Sequence, residues 1–156
     1  MLRTPRRLLG GILVLTAVLA GLATASAPRP PGPKDRCPVC GMYVEKYPNW
    51  TATVVFEDGS QVFFDGPKDL FKFLLDPAKY GHEESSIANV FVTDYYTTKL
   101  LNARETLFVV GSDVMGPMGP ELVPIANPEH AESFRADHGG DHVLTFDQVT
   151  PVVIPK

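Results

Sequence analysis

The chain has 156 residues, 44% hydrophobic and 10% aromatic, enough for one modest core and too few for two large domains. Its formal net charge is −4, with the charges scattered, which excludes both a basic footprint for nucleic acid and a polyanionic tail. With 15 prolines and 13 glycines, short elements joined by many loops are expected.

In chain order, Arg3, Arg6 and Arg7 precede an uncharged run rich in Leu, Val, Ala and Gly from Leu8 to Ala27. A basic segment followed by an apolar one predicts a signal peptide over residues 1–27, or a membrane anchor if it is kept. Small residues end at Ala25 and at Ala27; Pro28 disfavours the second cut. Either outcome places the body outside the cytoplasm, in an oxidising compartment where neighbouring thiols tend to pair. "APRPPGPKDR" leads to Cys37, and its prolines predict an extended linker over 28–36 that carries no chemistry. Residues 37–156 form the domain.

"TATVVF" (51–56) reads as a strand, "EDGS" as a hairpin turn and "QVFF" (61–64) as the return strand. Asp65-Gly66-Pro67 opens a helix, because proline at the first helical position loses no needed hydrogen bond. Leu70, Phe71, Leu74 and Leu75 supply its apolar stripe, and "ANVFVTDY" (88–95) is the next strand. The order then recurs. "TLFVVG" (106–111) is a strand, "SDVMGPMGPE" a longer turn and "LVPIA" (122–126) the return. Asn127-Pro128-Glu129 opens a second helix with Ala131 and Phe134 on one face and Gly139 as its stop, and "HVLTF" (142–146) closes the pattern. The predicted fold is α+β: two ββαβ pseudo-repeats, at 51–95 and 106–147, packed as one domain because neither half covers its own apolar faces.

"CPVCGMYVEKYPNW" holds both cysteines, Cys37 and Cys40. A C-x-x-C pair outside the cytoplasm can be a structural disulfide. It can be a thioredoxin-like redox couple, although that chemistry wants the first cysteine at a helix N-terminus. It can be half of a zinc site, completed by His138 and His142 from "HGGDH". A fourth reading begins with Met42, Met115 and Met118. Glycine and proline surround the last two, so no regular element carries them inward. Thiolate and thioether donors select Cu(I), and a thioether cannot be lost to a disulfide. His82 and His130 read as solvated residues, or accessory ligands at most. Asp94 and Tyr95 read as structural hydrogen-bonding residues where the halves join. No phosphate-binding glycine loop and no Ser/His/Asp order is present.

"CPVCGM", "TATVVFEDGSQVFFDGPKDLFKFL", "VFVTDYYT", "LFVVGSDVMGPMGPELVPI" and "FRADHGGDHVLTFDQV" occur in the order found in NosL-type proteins, the accessory proteins of nitrous oxide reductase, and from Cys37 to Val149 the chain resembles them. The resemblance implies a doubled ββαβ fold and a periplasmic, non-enzymatic Cu(I) chaperone. Its implied partners are a copper-dependent client, nitrous oxide reductase, and a membrane copper transporter. The family's Cys-Gly-Met cysteine falls on Cys40, and the methionine of its glycine-rich loop falls on Met118. Met42, Met115 and Cys37 are the candidates to complete the site. No cysteine directly follows the predicted signal, so a lipid anchor is not expected. The alternatives are a thiol–disulfide protein using Cys37 and Cys40, and a structural zinc-binding domain.

Overall fold

In the computed structural model, which describes residues 27–156, each half of the chain builds the same three-stranded arrangement; the predicted signal or anchor segment lies, except for Ala27, outside the described residues. Strand β1 (Ala52–Phe56) turns at Gly59 into β2 (Gln61–Phe64), pairing Ala52 with Phe64 and Val55 with Gln61. Helix α1 (Pro67–Leu75) follows, and β3 (Ile87–Thr93) returns antiparallel on the other side of β1. In the second half β5 (Leu107–Val110) is flanked by β8 (Val123–Ile125) and β9 (His142–Thr145), with α2 (Pro128–Asp137) between those two in sequence. The strand orders β2-β1-β3 and β8-β5-β9 correspond position for position. Two additions escaped the sequence pattern. Strand β4 (Leu100–Asn102) extends the first sheet beside β3. A small hairpin, β6 (Met115–Gly116) and β7 (Gly119–Pro120), forms inside the stretch predicted as one long turn.

Helix α1 belongs to both halves. Phe73 packs on Phe64 and Phe56 of its own sheet, with ring centroids 5.2 and 6.5 Å away. Phe71 packs on Phe108 and Phe146 of the other half at 4.9 and 5.2 Å. The predicted stripe therefore needs correction: Phe73 is fully buried and Leu75 is 43% exposed, because the helix is covered from two sides rather than one. Helix α2 has a single buried face, Ala131 and Phe134, and starts at Asn127, whose Oδ1 accepts from the His130 N–H at 2.9 Å. Its cluster joins Val109, Val123 and Ile125, with Trp50 and Tyr95 packed against it.

Buried Asp94 joins the halves at the end of β3. Its Oδ1 accepts from the Ala126 N–H at 2.9 Å, its Oδ2 accepts from the N–H and hydroxyl of Thr97, and the Tyr95 N–H donates to the Pro124 carbonyl at 2.9 Å. The proline-rich stretch is held against the domain as well. The Arg29 N–H donates to Gln61 Oε1, its guanidinium pairs with Asp35 at 2.6 Å, and it lies 4.5 Å from the Phe63 ring centre.

Candidate metal centre

The segment from Arg36 to Tyr43 closes into a tight knuckle before the first half begins. Arg36 and Tyr43 pair as an antiparallel bridge, the Cys37 N–H donates to the Met42 carbonyl at 2.9 Å, and the Gly41 N–H donates to the Cys37 carbonyl at 2.8 Å. Gly41 has φ +81°, a left-handed conformation that residues with a Cβ rarely adopt. The backbone N–H groups of Cys40 and Val39 favour a Cys37 thiolate and that of Met42 a Cys40 thiolate, but burial outweighs both. No helix begins at Cys37, so the helix dipole of a thioredoxin-like couple is missing from this site.

Opposite the knuckle lie the end of β2 and the first turn of α1, carrying Asp65 and Asp69 on one face. Both carboxylates are buried, as is Cys37; Cys40 is half-buried. Cys40 Sγ donates to Asp65 Oδ1 at 3.1 Å and Cys37 Sγ to Asp69 Oδ2 at 3.5 Å. One ligand atom from each of the four residues lies within 4.8 Å of all the others. Lys72 Nζ meets the remaining Asp69 oxygen at 3.0 Å. Burial, more than any other cause, pushes the Cys40 thiol up to about 12; Asp65 and Asp69 add to it and the Met42 N–H opposes it. Burial likewise raises Cys37 far above the ordinary thiol range, with Asp65 reinforcing the shift. Two proton-bearing sulfurs facing two buried carboxylates form a pocket that a cation can enter by displacing the thiol protons.

The three methionines come from two directions. Met42 follows Cys40 in the knuckle and is half-buried. Met115 and Met118 ride on the β6–β7 hairpin, 58% and 45% exposed. That hairpin is fastened to α1: the Met118 carbonyl accepts from Lys68 Nζ at 2.7 Å, and Glu121 Oε1 accepts from the Lys68 N–H. The methionine-bearing turn and the Asp69-bearing turn are thereby neighbours.

His138 and His142 are not members of the group around the cysteines. His138 Nδ1 lies 2.9 Å from Asp113 Oδ1, its ring packs on Phe134, and His142 is exposed on β9. Sequence reasoning missed Asp65 and Asp69. Acidic residues around a helix start read as complements to the helix dipole, and the only hint of more was their i, i+4 spacing beside a strongly apolar helix.

The NosL family model matches residues 28–154. The copper-binding lipoprotein NosL of Stutzerimonas stutzeri is 27% identical over 128 residues, which are 78% of this chain and 65% of that protein's own length. The chain thus spans slightly less than two thirds of that relative. The crystal structure of the copper chaperone NosL from Shewanella denitrificans matches with a TM-score of 0.71 at 28% identity, over 83% of this chain and 99% of that one. The solution structure of apo-NosL from Achromobacter cycloclastes shares the fold, with a TM-score of 0.50 at 23% identity over 66% of this chain and 87% of that one.

Proposed function

Because the chain belongs to the NosL family, we propose that it is a copper carrier outside the cytoplasm, holding Cu(I) as cargo for a copper-dependent client. The proposed client is nitrous oxide reductase, and a membrane copper transporter is the proposed companion in that traffic. The observation that carries this reading is the grouping of Cys37 and Cys40 with Asp65 and Asp69, with the methionine hairpin bonded to α1, the helix that carries Asp69. Thiolate and thioether sulfur prefer Cu(I) to hard cations. Cys40 Sγ already points its proton at Asp65 Oδ1, so this carboxylate is placed to receive it when metal enters. Release is favoured from the open side. Cys40 is half-buried and Met118 exposed, whereas Cys37 is 1% exposed. Ligands of a client can therefore replace the outer sulfurs one at a time, without a free ion.

A second reading is favoured by the two carboxylates. Two thiolates and two aspartates fit a four-coordinate divalent ion such as Zn(II). The zinc alternative then takes Asp65 and Asp69 in place of His138 and His142. Anaerobic Cu(I) titration of the reduced protein against a Cu(I) chelator, repeated with Zn(II) present, separates the two. The copper reading expects uptake that withstands the chelator and disappears in Cys40→Ser. Zinc retained with no such uptake overturns it in favour of the second reading.

A further inference from the structure

Lys68 is 3% exposed, and its Nζ donates at 2.7 Å to the backbone carbonyl of Met118, fifty residues away in sequence. A buried lysine without a hydrogen-bond partner costs several kcal/mol, on the order of a lost charged contact. This one is directed at the turn between β6 and β7. The backbone of the same lysine makes the second half of the connection: its N–H donates to Glu121 Oε1, which also accepts from the Leu122 N–H at 2.9 Å. Glu121 is 3% exposed and lies where side chains are excluded. A Cβ placed on Gly66 would stand 2.3 Å from its Oε2, and one on Gly116 would stand 2.9 Å from its Cγ. Helix α1 has no side-chain cap of its own at Gly66, so the carboxyl of Glu121 serves as a cap delivered from the hairpin. One residue, Lys68, is thus bonded at both its ends to the segment that carries Met115 and Met118. It sits between Asp65 and Asp69 in the sequence.

We propose that Lys68 and Glu121 are positioning residues, a two-point clasp that holds the Met118 turn beside the cysteine–aspartate group so that its thioether can share the metal. This rests on the reading of Met118 as a copper ligand. The hairpin itself has strands of only two residues each, and the bonds from Lys68 and Glu121 tie it to α1. Without those bonds Met118 would still be present but free to swing, and an outer-sphere loss of this kind lowers metal affinity by about tenfold or more.

The test is a double-mutant cycle on the full chain, reduced and metal-free, with Cu(I) affinity measured by competition with bicinchoninate. Lys68→Leu keeps much of the apolar stem of the side chain, removes the donor and adds no sulfur. It is expected to weaken Cu(I) binding about tenfold in the wild-type background, and by less than about twofold when Met118→Leu is already present. Glu121→Ala is expected to show the same pattern. Equal losses in both backgrounds would mean that the clasp acts on the fold or on the cysteines, and would overturn the proposal while leaving the copper reading intact. An unchanged affinity in Met118→Leu alone overturns Met118 as a ligand, and the clasp's role with it. If Lys68→Leu does not fold, Glu121→Ala decides; if neither folds, the clasp is a structural element only and the proposal fails.

Discussion

In the proposed copper site Cys40 is the half-buried thiol, and its surroundings make a directional prediction. Its thiol is pushed up to about 12, chiefly by burial, so near neutral pH it reaches a metal as S–H and must release the proton. Apparent Cu(I) affinity should therefore rise with pH, about tenfold per unit for each thiol proton displaced. A competition series from pH 6 to 9, corrected for the chelator's own titration, reads that slope; a flat profile would mean that no thiol proton is released. Replacing Cys40 by Ser removes the soft donor and should abolish tight binding. Met118→Leu should weaken it while leaving the fold intact, because the side chain is 45% exposed. A near volume-conserving change there should cost less than about 1.5 kcal/mol of stability. Cys37 has a second possible use. Its Sγ lies within 4.8 Å of the other three ligand atoms, Cys40 Sγ among them, so an oxidant can close a disulfide and take away the thiolate donors. The oxidised protein should bind Cu(I) weakly and recover on reduction. Cys37→Ser should keep its binding under mild oxidant so long as Cys40 does not pair between molecules. Thiol counts alongside affinities check this, and unchanged binding by a verified disulfide would remove Cys40 from the site.

At the scale of elements, the contact between α1 and the β6–β7 hairpin carries a buried acid, and its titration has a definite sign. Burial raises the Glu121 carboxyl from 4.5 to about 8, against the lowering influence of the Leu122 and Lys68 N–H groups and of the Lys68 charge. Between those values the folded chain binds more protons at this position than the unfolded chain. Its contribution to stability is full below pH 4.5 and is lost as the pH rises through 8. Glu121→Gln keeps a carbonyl acceptor for the Lys68 and Leu122 N–H groups but cannot ionise. Urea unfolding of the metal-free proteins should show wild type losing stability relative to Glu121→Gln from pH 5 to 8. Parallel pH profiles would show that the acid does not titrate in this window. The same contact explains why Gly66 is a glycine although its φ of −165° suits any residue. The space a Cβ needs is taken by the Glu121 carboxyl group.

For the whole molecule, Phe71 is one of the side chains that make one core of two repeats. It is 2% exposed and meets Phe108 and Phe146 of the second half edge-on and tilted. Phe71→Ala should cost about 3–5 kcal/mol. Its effect on cooperativity is as informative as its size. Trp50, the single tryptophan, packs against the second-half cluster, so its fluorescence reports that half while far-UV circular dichroism reports both. The two probes should give coincident urea transitions in wild type. Separate transitions in wild type would mean that the halves fold independently and that Phe71 is not their tie.

The ββαβ repeat was legible because each of its signals is local. Alternating Val and Phe mark the strands, and Pro67 and Pro128 mark two helix starts. Cys37 and Cys40 stood out as well, because a C-x-x-C pair set among Gly and Pro has no packing task to hide behind, and the structure groups them with two aspartates. What the sequence could not reveal depends on distance along the chain. Asp65 and Asp69 look like ordinary helix-start acids until the knuckle carrying Cys37 and Cys40 folds onto them. Glu121 looks like the end of a surface turn until it is found capping a helix 53 positions earlier. Strand β4 and the β6–β7 hairpin have too few residues to show a period, so only pairing with a neighbour defines them. Propensity and periodicity act over a few residues and can be read from order alone. Burial of a charge is decided by which distant segments exclude water from it, and so only the tertiary structure brings Asp65 and Asp69 to the cysteines as the carboxylate half of a candidate metal centre.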